Sequence, residues 1–552
     1  MIIKVDKNYN VLYTECGEYK KIENNNITYL CKINLVGKVD CDLRLHKFDN
    51  NDFIKMAEKT ELSEEYISKL VGSYGIVSIK NGVFQYASTD LSAIERIYKY
   101  ECENNIYYFS DVYEFILKQH INDIRLDLKS YEYYLSHGYN RGENTYIDGL
   151  KKLSPGLIYY GNGKRVDLLD IFKVNIECNY QSYKELILQE IDLLCKDKKT
   201  YIMHSGGVDS NLLLCVAQAL GKKIELVTYE YCEPNQMDTN LADVERSRKI
   251  ANKRNIKHNI IKMKFDNYEE YLNKTGLFYI MPFEAHKTSG AVYNLFNTLN
   301  KTENPLDYMV MCGQNNDSLY NLGPTELFTL NFFKIKNFKR GLQGVCQRLL
   351  ISDIYVKSIC KNKKITKKII DNFVKCIFYL RYKKKYIPAQ NCSELINYFL
   401  NSACYFAMKE ENDNYLMIDY KNVNADNYRK ILFKEKLRSF VDGNDNKIIT
   451  SCAELNGSQV CLPYSLQPMI YFYYNMQTCN RDIFHPKDMC YKLVKEYGMN
   501  IKDFSSKYNE KIDKGMQWDN KLKEQFSTNN DKLNFQQVIG KAWSKELINK
   551  IK

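Results

Sequence analysis

The chemistry in this chain starts from the stretch Tyr201-Ile-Met-His-Ser-Gly-Gly-Val-Asp-Ser210. An apolar run, Tyr201 to Met203, enters a turn at Ser205, Gly206 and Gly207, and a second apolar run, Leu212 to Ala217, leaves it. That is the layout of a strand, a tight loop and a helix start. Adjacent glycines let backbone N–H groups close on an anion with no Cβ in the way. A helix beginning near Asp209 adds unpaired N–H groups and the positive end of its dipole. Ser205 and Ser210 supply hydroxyl donors. The loop is therefore expected to cradle phosphate. An aspartate there repels the ligand unless a cation lies between them, so Asp209 predicts Mg²⁺. An ordinary strand-to-helix turn is the bland alternative, and the full S-G-G-x-D-S string is more specific than that.

The string resembles the pyrophosphate loop of the ATP-pyrophosphatase superfamily, whose members adenylate a carbonyl group and release pyrophosphate. It differs from the Walker-type loop G-x-x-x-x-G-K-[ST], so kinase or GTPase chemistry is not implied. The elements needed to position it follow in order. From about residue 180, apolar strand candidates at 200–203, 224–229, 258–263 and 308–312 alternate with helix candidates at 211–220, 241–254 and 291–299. Such alternation makes a doubly wound parallel sheet, with ligands at the carboxyl ends of its strands. The loop at 205–210 follows the first strand and a loop at 313–318 follows the last, so both can open on one crevice.

Length and composition bound the alternatives. The chain has 552 residues, 45% hydrophobic and 26% charged, enough for two to four globular domains. The N-terminus lacks the apolar region of a secretion signal, and no uncharged apolar stretch reaches the roughly 18 residues that span a membrane. The 18 cysteines are scattered without a C-x-x-C pair, which fits reduced thiols and a cytoplasmic location better than zinc ribbons or disulfides. The net charge of +12 is densest at Lys361, Lys363, Lys364, Lys367 and Lys368, then Lys383 to Lys385. A solvated helix face accounts for that cluster more simply than nucleic-acid contact.

Residues 1–175 read as β-rich. Runs at 2–5, 11–14, 28–33, 74–79, 84–88, 106–109 and 157–160 are separated by turn residues such as Asn81-Gly82, and helical patterns interrupt near 51–59 and 63–71. An antiparallel α/β sandwich is expected. Leu70-Val-Gly-Ser-Tyr-Gly75, Ala87-Ser-Thr-Asp90, Phe109-Ser110 and Gly149-Leu-Lys-Lys-Leu-Ser-Pro-Gly156 resemble, in order, the class II glutamine amidotransferase domain that precedes the synthetase domain of asparagine synthetases. The resemblance implies a division into 1–175 and a synthetase domain at 180–552. That family releases ammonia with an N-terminal cysteine whose α-amine acts as base. Here Met1-Ile2 opens the chain, the first cysteine is Cys16, and the family's glutamine-binding motifs are not recognisable. The sandwich is therefore expected to be a degenerate glutaminase, with the amine supplied from elsewhere.

The second loop, Cys312-Gly-Gln-Asn-Asn-Asp-Ser318, resembles the S-G-E-G-S-D-E loop of asparagine synthetases. The resemblance places Asp317 on the family's metal-binding aspartate and Gly313 against the nucleotide. Gln314 stands where the family has glutamate. It can orient a carbonyl or amine but cannot act as a base. Leu455-Asn-Gly-Ser-Gln-Val-Cys-Leu-Pro-Tyr464 resembles the segment before the family's P-F-L-D, without its aspartate. The helix that begins at Lys487 resembles the one opening with the synthetase lysine, which would offset charge on departing pyrophosphate. Lys514, in Lys511-Ile-Asp-Lys514-Gly515, is a weaker candidate of the same kind. Residues 327–440 look helical, with apolar spacing at 365–380 and 392–410. Their helices are expected to shape the acceptor pocket. His137, His204 and His286 are isolated and are read as packing residues.

Relatives with a dead or absent glutaminase include β-lactam synthetases, lasso-peptide macrocyclases and asparagine-synthetase-like proteins of surface-polysaccharide clusters. The resemblance implies an ATP- and Mg²⁺-dependent ligase that joins a small-molecule or peptide carboxylate to an amine, together with a partner protein from the same biosynthetic cluster. Membrane and nucleic-acid partners are not expected. Two alternatives stay open: an RNA-modifying adenylating enzyme, and an ATP-binding scaffold without catalysis.

Overall fold

A computed structural model describes residues 1–551 except 93, 120–123, 197, 232–240, 264–267, 286–288, 321–344, 347, 362, 383–386, 402–422, 425–426, 477–486 and 501–534. The first part is built on two antiparallel sheets. Strands β1 (Ile2–Asp6), β2 (Val11–Glu15), β8 (Tyr98–Glu101), β9 (Asn105–Phe109) and β10 (Leu150–Lys152) form one sheet in the order β10-β8-β9-β1-β2. The other contains β3 (Lys20–Asn24), β4 (Ile27–Val39), β6 (Leu70–Lys80), β7 (Val83–Thr89), β11 (Leu157–Tyr160) and β12 (Arg165–Asp167), with β5 (Leu45–Lys47) paired on β4. The Asn81-Gly82 turn closes the β6–β7 hairpin with φ of 53° and 75°, the two positive values that a type I′ turn needs.

Three apolar layers hold these sheets. Ile3, Val5, Leu30, Val77, Ala87 and Tyr108 fill the space between them. Tyr29, Tyr74 and Ile76 cover the outer face of the larger sheet together with Phe53 of α1 (Asn50–Ala57) and Ile67 of α2 (Glu64–Ser68). Phe109 and Tyr100 of the smaller sheet pack on Phe115 of α3 (Val112–Gln119). The sandwich expected from the β-rich pattern is present, with one correction. The helical pattern at 63–71 ends at Ser68, and Leu70 and Val71 begin β6. Pairing of β6 with β4 runs from Ile27–Lys80 to Lys38–Leu70, and burial on a two-faced sheet outweighs the local helical spacing. The helix α4 (Leu128–His137), capped by Asp127, has no counterpart among the expected helices.

The second part is the parallel sheet: β13 (Lys199–Met203), β14 (Ile224–Tyr231), β15 (His258–Met263), β16 (Tyr308–Cys312) and the short β17 (Val460–Cys461), in the order β15-β14-β13-β16-β17. One face is covered by α5 (Tyr180–Cys195), α6 (Val208–Ala219) and α7 (Leu241–Arg254), the other chiefly by α8 (Ser289–Leu299). The chain runs outward from β13 through β14 to β15, then returns to lay β16 on the other side of β13. That reversal opens a crevice at the carboxyl ends of β13 and β16.

The two parts are joined by polar contacts to backbone. Gln467, at the start of α12 (Gln467–Asn475), donates to the Gly72 carbonyl at 2.6 Å and accepts from the Gly72 N–H at 3.0 Å. Ser92 donates to the Ser465 carbonyl at 2.6 Å. A buried ionic cluster adds Arg96 and Lys152 from the sandwich to Glu284 and Asp442. No helix among the described residues is long and apolar enough to cross a membrane.

Candidate active site

The loop after β13 is built by backbone geometry. Gly206 has φ 72°, and a Cβ there would stand 2.6 Å from Cβ of Arg246, so only glycine fits. Helix α6 starts at Val208, one residue before the start expected near Asp209 and three before the helix candidate at 211–220, with Gly207 as its cap. No side chain caps it, so its first N–H groups keep their capacity for an anion. The Gly207 carbonyl accepts from Ser210 Oγ at 3.2 Å and from Asn211 Nδ2 at 2.8 Å, which ties the turn to the helix it feeds. Ser205 Oγ lies against the Gly207 N–H at 3.4 Å.

The second loop presses on the first. A Cβ on Gly313 would meet Asp209 and the Ser210 nitrogen at 3.2 Å, so glycine allows the close approach. Asn315, in the left-handed conformation with φ 69°, turns the chain into α9 (Asn316–Tyr320), whose first turn carries Asp317. Gln314 lies half-buried at that turn and Ser318 is buried.

Lys487 caps α13 (Asp488–Glu496), also with a left-handed backbone, φ 58°. Its ammonium lies 2.5 Å from Asp209 Oδ2 and also bonds Asp317 Oδ1. Asp209, Asp317 and Lys487 thus meet in one crevice. Lys487 is 3% exposed, whereas the Asp317 side chain is 48% exposed, so Asp317 forms the solvent side of the trio. Burial works against the lysine's charge, but the two carboxylates more than offset it and raise its pKa. Burial raises the pKa of Asp209, with Asp317 adding to the rise and Lys487 opposing it.

Residues that sequence reasoning missed lie behind Asp209. Asn316 Nδ2 donates to Asp209 Oδ1 at 2.6 Å, and Tyr473 donates to Asn316 Oδ1 at 2.7 Å. Tyr464 donates to the Asp209 carbonyl at 3.0 Å. Both carboxylate oxygens of Asp209 are thereby fixed, one by Asn316 and one by Lys487. Asn316 and Tyr464 sit inside motifs already singled out; Tyr473 carried no signal.

The histidines are placed as packing residues where described. His204 is buried, with Nδ1 2.8 Å from Ser247 Oγ and Nε2 3.1 Å from Asn211 Oδ1, and burial lowers its pKa to about 4. His137 stacks on Tyr133 at 4.0 Å. His286 and Lys514 lie outside the described residues.

Mg²⁺ normally takes one or two protein carboxylates and completes its octahedron with phosphate oxygens and water. Asp209 and Asp317, sharing one ammonium, are a donor set of that kind. Among the described residues no group of three acidic, His or Cys side chains is placed to hold a metal ion.

Residues 199–276 match the family model described as queuosine biosynthesis protein QueC. The match spans β13, the loop, and the chain through β15, and it stops short of Asp317 and Lys487. It supports an ATP-using enzyme domain of the ATP-pyrophosphatase type, rather than asparagine synthetases in particular. No curated protein sequence matches the chain. Among solved structures, the chain is similar to NMN synthetase from Francisella tularensis, with 14% identity over 43% of this chain and 99% of that one, at a TM-score of 0.21. It is similar to glutamine-dependent NAD+ synthetase from Acinetobacter baumannii in complex with ADP, with 11% identity over 58% and 78% of the two chains and a TM-score of 0.19. The third is glutamine phosphoribosylpyrophosphate amidotransferase from B. subtilis complexed with ADP and GMP: 11% identity, 53% and 63%, TM-score 0.16. Likeness at this level carries no argument about chemistry.

Proposed function

We propose that the chain is an ATP-dependent amide synthetase that adenylates a substrate carboxylate and passes the acyl group to an amine made elsewhere. The observation that carries this reading is the meeting of Asp209, Asp317 and Lys487 beside the 205–210 loop. The loop N–H groups and the hydroxyls of Ser205 and Ser210 hold the β- and γ-phosphates. A carboxylate attacks the α-phosphorus, the bond to the bridging oxygen breaks, and pyrophosphate leaves. Lys487 then offsets charge on the leaving oxygens. An amine attacks the acyl carbon, AMP departs, and the amine's proton goes to solvent or to a group of the substrate, since Gln314 cannot take it. Asp209 and Asp317 would hold Mg²⁺, which when bound neutralises phosphate charge. The remaining contribution of the protein is position, which can supply a large part of such a barrier.

The test is exchange of labelled pyrophosphate into ATP with Mg²⁺ and a panel of amino-acid and peptide carboxylates. Exchange that depends on one carboxylate and is lost in Asp209→Asn supports the reading. Purified protein that never binds Mg²⁺-ATP refutes it. The queuosine match favours a second reading, adenylation of a nucleobase or RNA carbonyl; exchange driven by RNA in place of a carboxylate would select it.

A further inference from the structure

The exposed Lys361, Lys363, Lys364 and Lys368 do form a solvated face, and Lys383 to Lys385 lie outside the described residues, but the lysine-rich segment carries an apolar ridge as well. It belongs to α10 (Lys364–Tyr382), which is buried on one side through Ile370, Val374 and Ile377. The opposite side is apolar and open. Ile365 is 78% exposed, Ile369 64%, Phe373 39% and Tyr379 62%. These are four of the eleven large hydrophobic residues exposed among those described, gathered on one helix. A single exposed apolar residue needs no explanation, but a continuous ridge of them marks a contact surface.

The spacing is specific. Positions 365, 369, 372, 376 and 379 alternate steps of four and three, the seam of a coiled coil, with Asn372 the polar member. Lys368 and Lys375 stand immediately before seam positions 369 and 376, on one flank, and both are exposed, as is Lys364. Thr366 and Phe373 occupy the other flank without charge. Lys367 is turned away and bonds Asp371 at 2.9 Å.

We propose that this ridge docks an amphipathic helix of a partner protein, with apolar residues on its seam and Asp or Glu facing Lys368 and Lys375. The surface stands independently of the adenylation reading. A second copy of the ridge does not fit: antiparallel pairing sets the lysines against each other, and parallel pairing sets them against Thr366 and Phe373. A membrane surface fits less well, because a helix lying in a lipid interface carries basic residues across its whole polar face. Here the lysines line one flank and the far side is protein core.

Full-length protein is titrated into a labelled two-heptad peptide with Leu and Ile on its seam and Glu on its flanks, and into the same peptide with Lys for Glu. Tighter binding of the acidic peptide is expected, weakening with salt. Ile369→Asp should weaken it by about tenfold or more, and the double variant Lys368→Glu/Lys375→Glu should transfer the preference to the basic peptide. Equal binding of both peptides, binding to anionic vesicles in place of the peptide, or concentration-dependent dimerisation lost in Ile369→Asp would each overturn the proposal. Ile369 is exposed, so its substitution leaves the core intact.

Discussion

Replacing Lys487 by Met removes the ammonium that bonds both carboxylates, and the effect follows from how each acid is placed. Asp209 is mostly buried, with 19% of its side chain exposed, and it keeps only the Asn316 hydrogen bond once the ammonium is gone. Stripping one partner from a buried ion pair costs about 3–5 kcal/mol. The surviving hydrogen bond puts Asp209 at the low end of that range. Asp317 is half-exposed, so its share is that of a surface pair, about 0–1 kcal/mol. The expected loss is therefore about 3 kcal/mol, localised at the loop. Amide hydrogen exchange reads local opening directly, and 3 kcal/mol corresponds to roughly 150-fold faster exchange across 205–219 in EDTA. Mg²⁺ can take the vacated place between the carboxylates. At a hundred times its dissociation constant it would return about 2.7 kcal/mol, so exchange in Lys487→Met should slow nearly to the wild-type rate. Wild-type protein without nucleotide should respond little, because its own ammonium competes for the same oxygens. Unchanged exchange in the variant, or an equal Mg²⁺ response in both proteins, would refute the reasoning.

Other outcomes follow from the same geometry. Asn316→Ala frees one Asp209 oxygen and is expected to lower carboxylate-dependent exchange by about 10–100-fold, with Tyr473→Phe causing a smaller loss; full activity in Asn316→Ala would remove the orienting role. His204 stays neutral to about pH 4 in the folded chain, whereas an unfolded histidine takes a proton near 6.5. Its contribution is complete above about pH 6.5 and is lost as pH falls toward 4, amounting to about 2 kcal/mol at pH 5. The wild type should therefore lose more thermal stability between pH 7 and 5 than His204→Gln, and parallel losses would contradict this. The thiols of Cys360 and Cys392 lie 2.9 Å apart, so diamide should join them into one disulfide-linked peptide pair; their recovery as separate free thiols in an unreduced digest would count against that placement.

Much of the parallel sheet was legible because its elements are long and strongly patterned. The strands His258–Met263 and Tyr308–Cys312 and the helix Leu241–Arg254 fall where the apolar runs and helical spacing put them. Leu70 and Val71 were misread because their conformation is decided by β4, more than thirty residues away. The helical spacing at 392–410 is met by α11 (Cys392–Asn401), and its remainder lies outside the described residues. At the site, Asp209, Asp317 and Lys487 were found through motifs, yet nothing local says that one ammonium spans both acids across 278 and 170 residues of chain. Asn316 was in plain view beside Asp317, but an asparagine has no signature until its partner is known. The solvated lysines were legible at 361–368, but that row of charges hides the apolar ridge interleaved with it.

The grip of Gln467 on both polar groups of Gly72 makes the two halves of the chain a single inheritance. A fragment beginning near residue 180 would leave that amide facing water, and it would also release Ser465, beside the tyrosine that steadies Asp209. The sandwich is thereby a wall against which the other half keeps its shape.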